Sequence, residues 1–520
     1  MIWALLKQIH KNNNLQNFKN MSNLKTSVLI EVTAIQQYIF SSNKLKENIG
    51  ASYIIERLLE NSIEKTLKAI YGKGFNINVW KEGKDIEPNS ACEVGYIGGG
   101  NTLIFFSDAS KAKTFISEFT KCCLVEYPNL QLSIGTKDNF DITSNYDSEF
   151  QALLLNLKER KARFIPNTSI SKHGITTDCP WSNETAEVFE AKSQKFISTA
   201  SSAKIKAAET AKNELPNTYE CLGKEYTLPE DIEALGQSKE ASYIAVVHID
   251  GNGMGKIFSD IDKLAKLRKK SFEVSSKANL AMKQLIEHII NLKKDKKLTD
   301  LKLENGNLPI RPILVGGDDV TFICEGRHGV YLAEQFINLF YDEMERKKER
   351  NSPDRLMDGA CAGVAIVKSH FPFYKAVKLA EELCGEAKKT ARDNPGSYIS
   401  FYYTATTFSG TLEELRKKTH ITQSGNLYFG PYKLFDEGNE HSIEKLKKGI
   451  TYFNKSWPRN KVMKLREIIA APDSSQTLFS KEIKEIGLNY PGNRDTIWIN
   501  NRTPFFDQIE LLDFYLETLL

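Results

Sequence analysis

The 520-residue sequence contains no Cys-x-x-Cys pair and no His-Asp dipeptide. The first absence removes the usual ligand spacing of a closed structural zinc site. The second removes the paired motif of a His-Asp metal hydrolase. No run approaches the roughly 18 apolar residues that a membrane-spanning helix needs. The N-terminal segment has an apolar core of only Ile2 to Leu6, short for a signal peptide, and Met21 offers an alternative start. Excess charge of one sign is also missing. Lys plus Arg number 70 against 66 Asp plus Glu, a net +4 that argues against nucleic-acid binding by charge alone. The eight cysteines are scattered, several in apolar runs, which reads as reduced core thiols in a cytoplasmic protein. With 41% hydrophobic and 26% charged residues, collagen-like, disordered and disulfide-scaffold classes are excluded. At about 100–200 residues per domain the length suggests several domains.

What is present is an internal duplication. Ser27–Ile35 is an apolar strand-like run followed by a helical segment from Gln36 to Leu59, and Tyr243–Asp250 repeats the pattern before Gly251-Asn-Gly-Met-Gly-Lys256. Tyr96–Phe106 then resembles Ile313–Ile323, each two β-rich runs around a glycine turn, a hairpin signal. The offsets agree: 250 − 31 is 219 and 319 − 101 is 218. A further strand follows in each copy (130–136 and 360–367), then a helical stretch with basic residues (150–163 and 373–392). The repeat unit predicted is β-helix-β-β-β-helix, a mixed or antiparallel sheet backed by helices. Between the copies, 191–214 has the pattern of a Lys- and Ala-rich helix. Residues 262–302 read as a solvated, lysine-rich helix pair, with a nucleic-acid-facing surface as the alternative, and 410–520 are mainly helical.

The copies differ where chemistry would sit. The second has Asp250 at a strand end and Asp318-Asp319 at a hairpin turn; the first has Glu31, then Gly100-Asn101. Three such carboxylates make an oxygen-rich pocket suited to Mg²⁺ or Mn²⁺. Two ions about 3.5–4 Å apart activate a hydroxyl and stabilise the leaving oxygens of a phosphoryl displacement. Gly316 and Gly317 let the turn adopt positive φ and let a substrate approach the backbone. Gly251, Asn252, Gly253 and Gly255 lie between strand and helix, where amide groups cradle a triphosphate, with Lys256 adding charge. This loop is neither a Walker A sequence nor GxGxxG, which disfavours nucleotide folds of those kinds. A lone Gly-Gly-Asp-Asp is a common turn composition, and an aspartate at a strand end is often a helix N-cap. The conjunction with the upstream Asp-Gly-Asn-Gly strand end and the downstream helix carrying Lys388 is what supports catalysis. His248 reads as a satisfied core histidine. His173 and Cys179, two isolated ligands, are weak remnants of a metal knuckle.

These blocks resemble the large palm-domain polymerase/cyclase subunit of type III CRISPR effector complexes, the Cas-ten family. The resemblance runs over residues 27–520. It rests on 35–52, Gly98-Gly-Gly-Asn101, Asp250–Gly255, Gly316-Gly-Asp-Asp319, Ala362–Ile366 with the helix 376–389, and Trp457-Pro-Arg-Asn-Lys461. It implies an α+β protein with two ferredoxin-like palm (nucleotide cyclase/polymerase-like) domains. The segments are a leader (1–26), a degenerate first palm (27–165), a largely helical linking region (166–238), a catalytic second palm (239–409) and a C-terminal helical domain (410–520). It further implies conversion of ATP to cyclic oligoadenylates. Asp250, Asp318 and Asp319 would hold two Mg²⁺ or Mn²⁺ ions, residues 251–256 the triphosphate, and Lys388 a phosphate. The implied partners are crRNA, target RNA and other type III subunits, with no membrane, and a homodimer is left open. Two departures stand out. No HD nuclease segment is visible, so DNA cleavage is not expected, and the zinc module of the linking region is reduced to Cys179 and Cys221. The alternatives are a non-catalytic crRNA/target-RNA-binding scaffold and, disfavoured by Gly-Gly-Asp-Asp-Val, a diguanylate-type cyclase.

Overall fold

The computed structural model describes residues 23–143, 146–163, 176–235, 242–255, 263–298, 306–349, 352, 355–404, 406 and 410–515. The chain divides into two units, Met1–Glu214 with Gly255–Lys277, and Leu215–Met254 with Ala278–Leu520. This division is coarser than the five segments read from the sequence.

The first unit opens with β1 (Leu24–Thr33), whose central residues Ser27–Ile30 are all buried, as a middle strand covered on both faces requires. Then come α1 (Leu45–Arg57), β2 (Cys92–Gly98), β3 (Asn101–Phe106), α2 (Ala109–Glu126), β4 (Gln131–Asp141) and α3 (Tyr146–Arg163). The sheet runs β2-β3-β1-β4 and is antiparallel throughout, the ferredoxin-like order. Helix α2 corrects the predicted repeat, which ran directly from the third strand to the fourth. Its core face is Ala112, Phe115, Phe119 and Cys123, at helical spacing, and the Asp108 side chain caps it by accepting the Ser110 amide at 2.7 Å. The helix expected over 191–214 instead begins at Thr199. Residues Lys195–Ile197 (β6) pair with Val188–Glu190 (β5) as a hairpin, and α4 follows as Thr199–Thr218.

The second unit repeats the plan. Strand β7 (Tyr243–Gly251) precedes the long helix α5 (Leu264–Lys294), after which come β8 (Ile310–Gly316), β9 (Asp319–Glu325), α6 (Gly329–Phe340), β10 (Ala360–Lys368) and α7 (Phe373–Asp393). Helix α6 stands between third and fourth strands as α2 does. The sheet order is β12-β11-β10-β7-β9-β8, and the four strands β10-β7-β9-β8 at one end of it reproduce the first sheet. Strand β11 (Tyr398–Thr404) adds to β10 in parallel, and β12 (Tyr432–Lys433) pairs antiparallel with β11; α8 (Leu412–Thr419) lies between them in sequence. Helices α9 (Ile443–Ser456), α10 (Arg459–Ile469), α11 (Asp473–Glu485) and α12 (Pro504–Glu510) complete the helical C-terminal region; α11 had no counterpart among the expected helices.

Within the lysine-rich stretch, Leu264–Lys294 is one helix, α5, rather than a solvated pair. Its lysines point outward while Leu264, Leu267 and Val274 are buried in the first unit and Ala278, Met282, Leu285, Ile286 and Ile289 in the second. Arg268 on the same face is fully buried within the first unit. Its guanidinium donates to the carbonyls of Gly95, Lys84 and Val94 and to the Glu93 carboxylate at 2.5–2.8 Å. Among the described residues no helix is long and apolar enough to cross a membrane.

Candidate active site

Strand β7 is buried from Ile244 to Ile249 and apolar but for His248, which fixes it between β9 and β10 and sets the register at its end. There Asp250 lies opposite Asp319 of β9, and His248 opposite Thr321. Cross-strand partners point to the same face, so Asp250, Asp319 and His248 share one side of the sheet. The β8–β9 hairpin closes with Gly317 and Asp318 as its two turn residues, and Gly317 has φ +79°. Positive φ at the first central position is the requirement of a II′ turn, which suits the twist of the paired strands. The turn is fastened to the strand end: the Gly251 amide donates to the Asp318 carbonyl at 3.2 Å. A Cβ on Gly251 would lie 3.1 Å from the Asp318 Cβ, so glycine there permits the close approach.

The register thus brings the acids of 250, 318 and 319 to one sheet end. Burial pushes the Asp318 carboxyl up to about 6, helped by the negative charges of Asp250 and Asp319 and opposed by Lys388. Lys388 projects from α7 and its ammonium contacts Asp250 Oδ2 at 2.5 Å. His248 is buried, accepts or donates at 3.0 Å with the Thr321 hydroxyl, and lies 3.4 Å from Asp319 Oδ1. Burial lowers its basicity, against the pull of Glu381 and Asp250. Glu381, on α7, is in turn raised by burial and by Asp319 and lowered by His248.

Sequence reasoning missed Glu381 and took His248 only as core. The available signal was helical spacing: 381, 384 and 388 fall at i, i+3 and i+7, the sheet-facing stripe of α7, with Cys384 buried between the two charged residues.

The glycine loop is shaped by contacts of its own. The Asn252 amide donates to the Gly359 carbonyl at 2.8 Å, and the Asn252 side chain donates to the Gly396 carbonyl at 2.9 Å. Gly253 has φ +78°, and a Cβ there would meet the Asp358 carboxylate at 2.8 Å. The amides of Gly251 and Asn252 are therefore committed to the protein rather than to a phosphate cradle. Gly255 faces open space, and Lys256 lies outside the described residues.

Among the described residues no group of three or more His, Cys, Asp or Glu side chains stands ready as a metal-ligand set. The donors nevertheless fit a divalent cation in kind. They are hard carboxylate oxygens; burial first, and then the charges of Asp250 and Asp319, raise Asp318, and a divalent charge relieves that repulsion.

The first unit lacks this accumulation. Glu31 lies opposite Asn101, and its ion pair is with Lys161 of α3. Gly99 and Gly100 both have positive φ, +58° and +75°, as a I′ turn demands. The two hairpins differ in turn type as well as in acid content. In the linking segment, Cys179 has serines for neighbours: Ser201 Oγ is 3.6 Å from its sulfur, and Ser182 and Ser198 hydroxyls are 3.1 Å apart. His173 lies outside the described residues.

A duplicated ferredoxin-like sheet with acids at the end of one copy defines a palm-domain protein. Comparison with known proteins places one segment: the family model for the second palm domain of Cas10/Cmr2 matches residues 243–395. No curated protein matches the chain. Among solved structures, a Csm1-Csm4 cassette in complex with pppApApA is similar over 95% of this chain and 69% of that one, at 12% identity and a TM-score of 0.51. The cassette with AMPPNP gives 12% identity over 94% and 69%, TM-score 0.50, and the apo cassette 13% over 95% and 70%, TM-score 0.50. At that identity they establish a common fold.

Proposed function

We propose that this protein is a metal-dependent nucleotidyltransferase that converts ATP to cyclic oligoadenylate messengers in CRISPR-type antiviral defence. The observation that carries the reading is the gathering of Asp250, Asp318 and Asp319 at one end of the second sheet, with the Asp318 carboxyl raised to about 6 by burial first and then by the charges of Asp250 and Asp319. In support, solved proteins of this fold hold AMPPNP and pppApApA, an ATP analogue and a triphosphorylated adenylate trimer.

In this reading Asp250, Asp318 and Asp319 hold two Mg²⁺ or Mn²⁺ ions. When bound, the ions supply Lewis-acid activation of a hydroxyl and charge stabilisation of the leaving oxygens. The 3′-hydroxyl oxygen of one ATP forms a bond to the α-phosphorus of another, the bond to the bridging oxygen breaks, and pyrophosphate leaves. Gly253 lies beside the triphosphate, Gly316 and Gly317 leave room for it at the turn, and Lys388 offers a cation. The same step, made between the two ends of a chain, closes the ring. The cassette structures make a Csm4-like subunit the first partner to test, with crRNA and target RNA as the activating ligands.

The test is incubation of the pure protein with ATP and Mn²⁺, with and without target RNA, and chromatography of the products. Oligoadenylate lost in an Asp318→Ala/Asp319→Ala variant is the expected result; no product under any condition removes the proposal. Parallel GTP incubations separate it from a diguanylate-type cyclase. If the double variant preserves antiviral output in cells, the protein acts as an RNA-binding scaffold instead.

A further inference from the structure

Both repeats carry, near the end of their first strand, an acid that a lysine holds from the helix after the fourth strand. In the first the pair is Glu31 with Lys161 of α3; in the second it is Asp250 with Lys388 of α7, at 2.5 Å. The surroundings of the pairs differ. Glu31 faces Asn101 beside a Gly-Gly turn, so a single lysine balances a single carboxylate. Asp250 faces Asp319 with Asp318 alongside, and Glu381 of the same helix acts on Asp319 as well. Among the described residues, Lys388 there stands against an excess of negative charge. Lysine carries its charge as a point on a flexible stem, so it can release one partner for another in a way a bidentate arginine cannot.

We infer that Lys388 is the resident counter-ion of the second palm. It neutralises Asp250 in the metal-free protein, competes with divalent cations for that carboxylate, and is released by their binding. In the first palm the equivalent pair is permanent, because the position opposite Glu31 is Asn101 and not a second acid that would recruit a cation to displace Lys161. This inference rests on the metal-site reading above and adds a gate to it.

Calorimetric Mn²⁺ titration and thermal unfolding in EDTA test it without any turnover. Lys388→Met removes the competing charge and should bind Mn²⁺ about tenfold or more tightly than the wild type. Its metal-free Tm should fall, and adding Asp250→Asn to the same chain should restore it. Lys388→Gln, which keeps a hydrogen bond to Asp250, gives the same direction in affinity should the methionine variant fold poorly. Lys388→Arg should stay close to wild type in Tm, and Lys161→Met should leave Mn²⁺ affinity unchanged. Equal Mn²⁺ affinity in wild type and both neutral Lys388 variants overturns the counter-ion role while leaving the metal site standing. Failure of all of them to bind Mn²⁺ overturns the metal-site reading, and this inference with it.

Discussion

Asp318 sits in a turn where its own backbone is relaxed but its charge is not. The Asp318 carboxyl is raised from 3.8 to about 6 by burial first, then by Asp250 and Asp319. A raised carboxyl binds its proton more tightly folded than unfolded. Stability therefore falls as pH rises from about 4 to about 6 and remains at the lower level above that. Asp318→Asn, free of that charge, should stabilise the metal-free protein at pH 7.5 by about 1 kcal/mol, discounted for partial solvation. The gain should vanish near pH 4, and Tm measured against pH in EDTA checks both ends. The first repeat shows the converse constraint. Gly100 has φ +75°, and a Cβ there would come within 2.3 Å of the Ile35 side chain. Gly100→Asp, intended to restore the missing acid, should instead destabilise by about 1–2 kcal/mol in urea melts and yield no second Mn²⁺ site.

At the scale of elements, α5 shows how composition misleads. Ten-odd lysines along one stretch suggest a solvated surface, yet the intervening apolar residues recur every three or four positions and make one long, half-buried helix. Arg268 extends this logic to a charge: it is buried because three carbonyls and Glu93 satisfy it. Arg268→Met leaves Glu93 buried without its cation, and the urea midpoint should fall by the equivalent of about 3–5 kcal/mol. The strands were easier to read than the helices. Apolar runs such as 243–249 and 360–367 announce central strands, and Gly-Gly turns announce hairpins, because these signals are local. Helices α2 and α6 were passed over between such signals. Their apolar residues recur at helical spacing, but the stripes pack only once the sheet beneath them has formed.

For the whole molecule, the net charge of +4 bears on RNA. Binding through backbone phosphates alone scales with the number of cations engaged. The isolated chain should therefore hold a random single-stranded RNA no tighter than about 10 µM at 150 mM salt, as measured by fluorescence anisotropy. Sub-micromolar affinity for random RNA would show a concentrated basic surface that the balanced composition hides. The duplication was legible because both copies keep the same order of strand, hairpin and strand at nearly constant offset. The sequence by itself determined which residues are acids, where the turns fall and that one copy had lost its acidic pair, since these are matters of residue identity and local backbone preference. Tertiary structure alone decided that Asp250 meets Asp319 across a strand pair, that Lys388 and Glu381 face them from α7, and that two amides of the glycine loop are already occupied. Those facts follow from sheet register and helix docking, in which residues 60 to 140 positions apart become neighbours only after the core has formed.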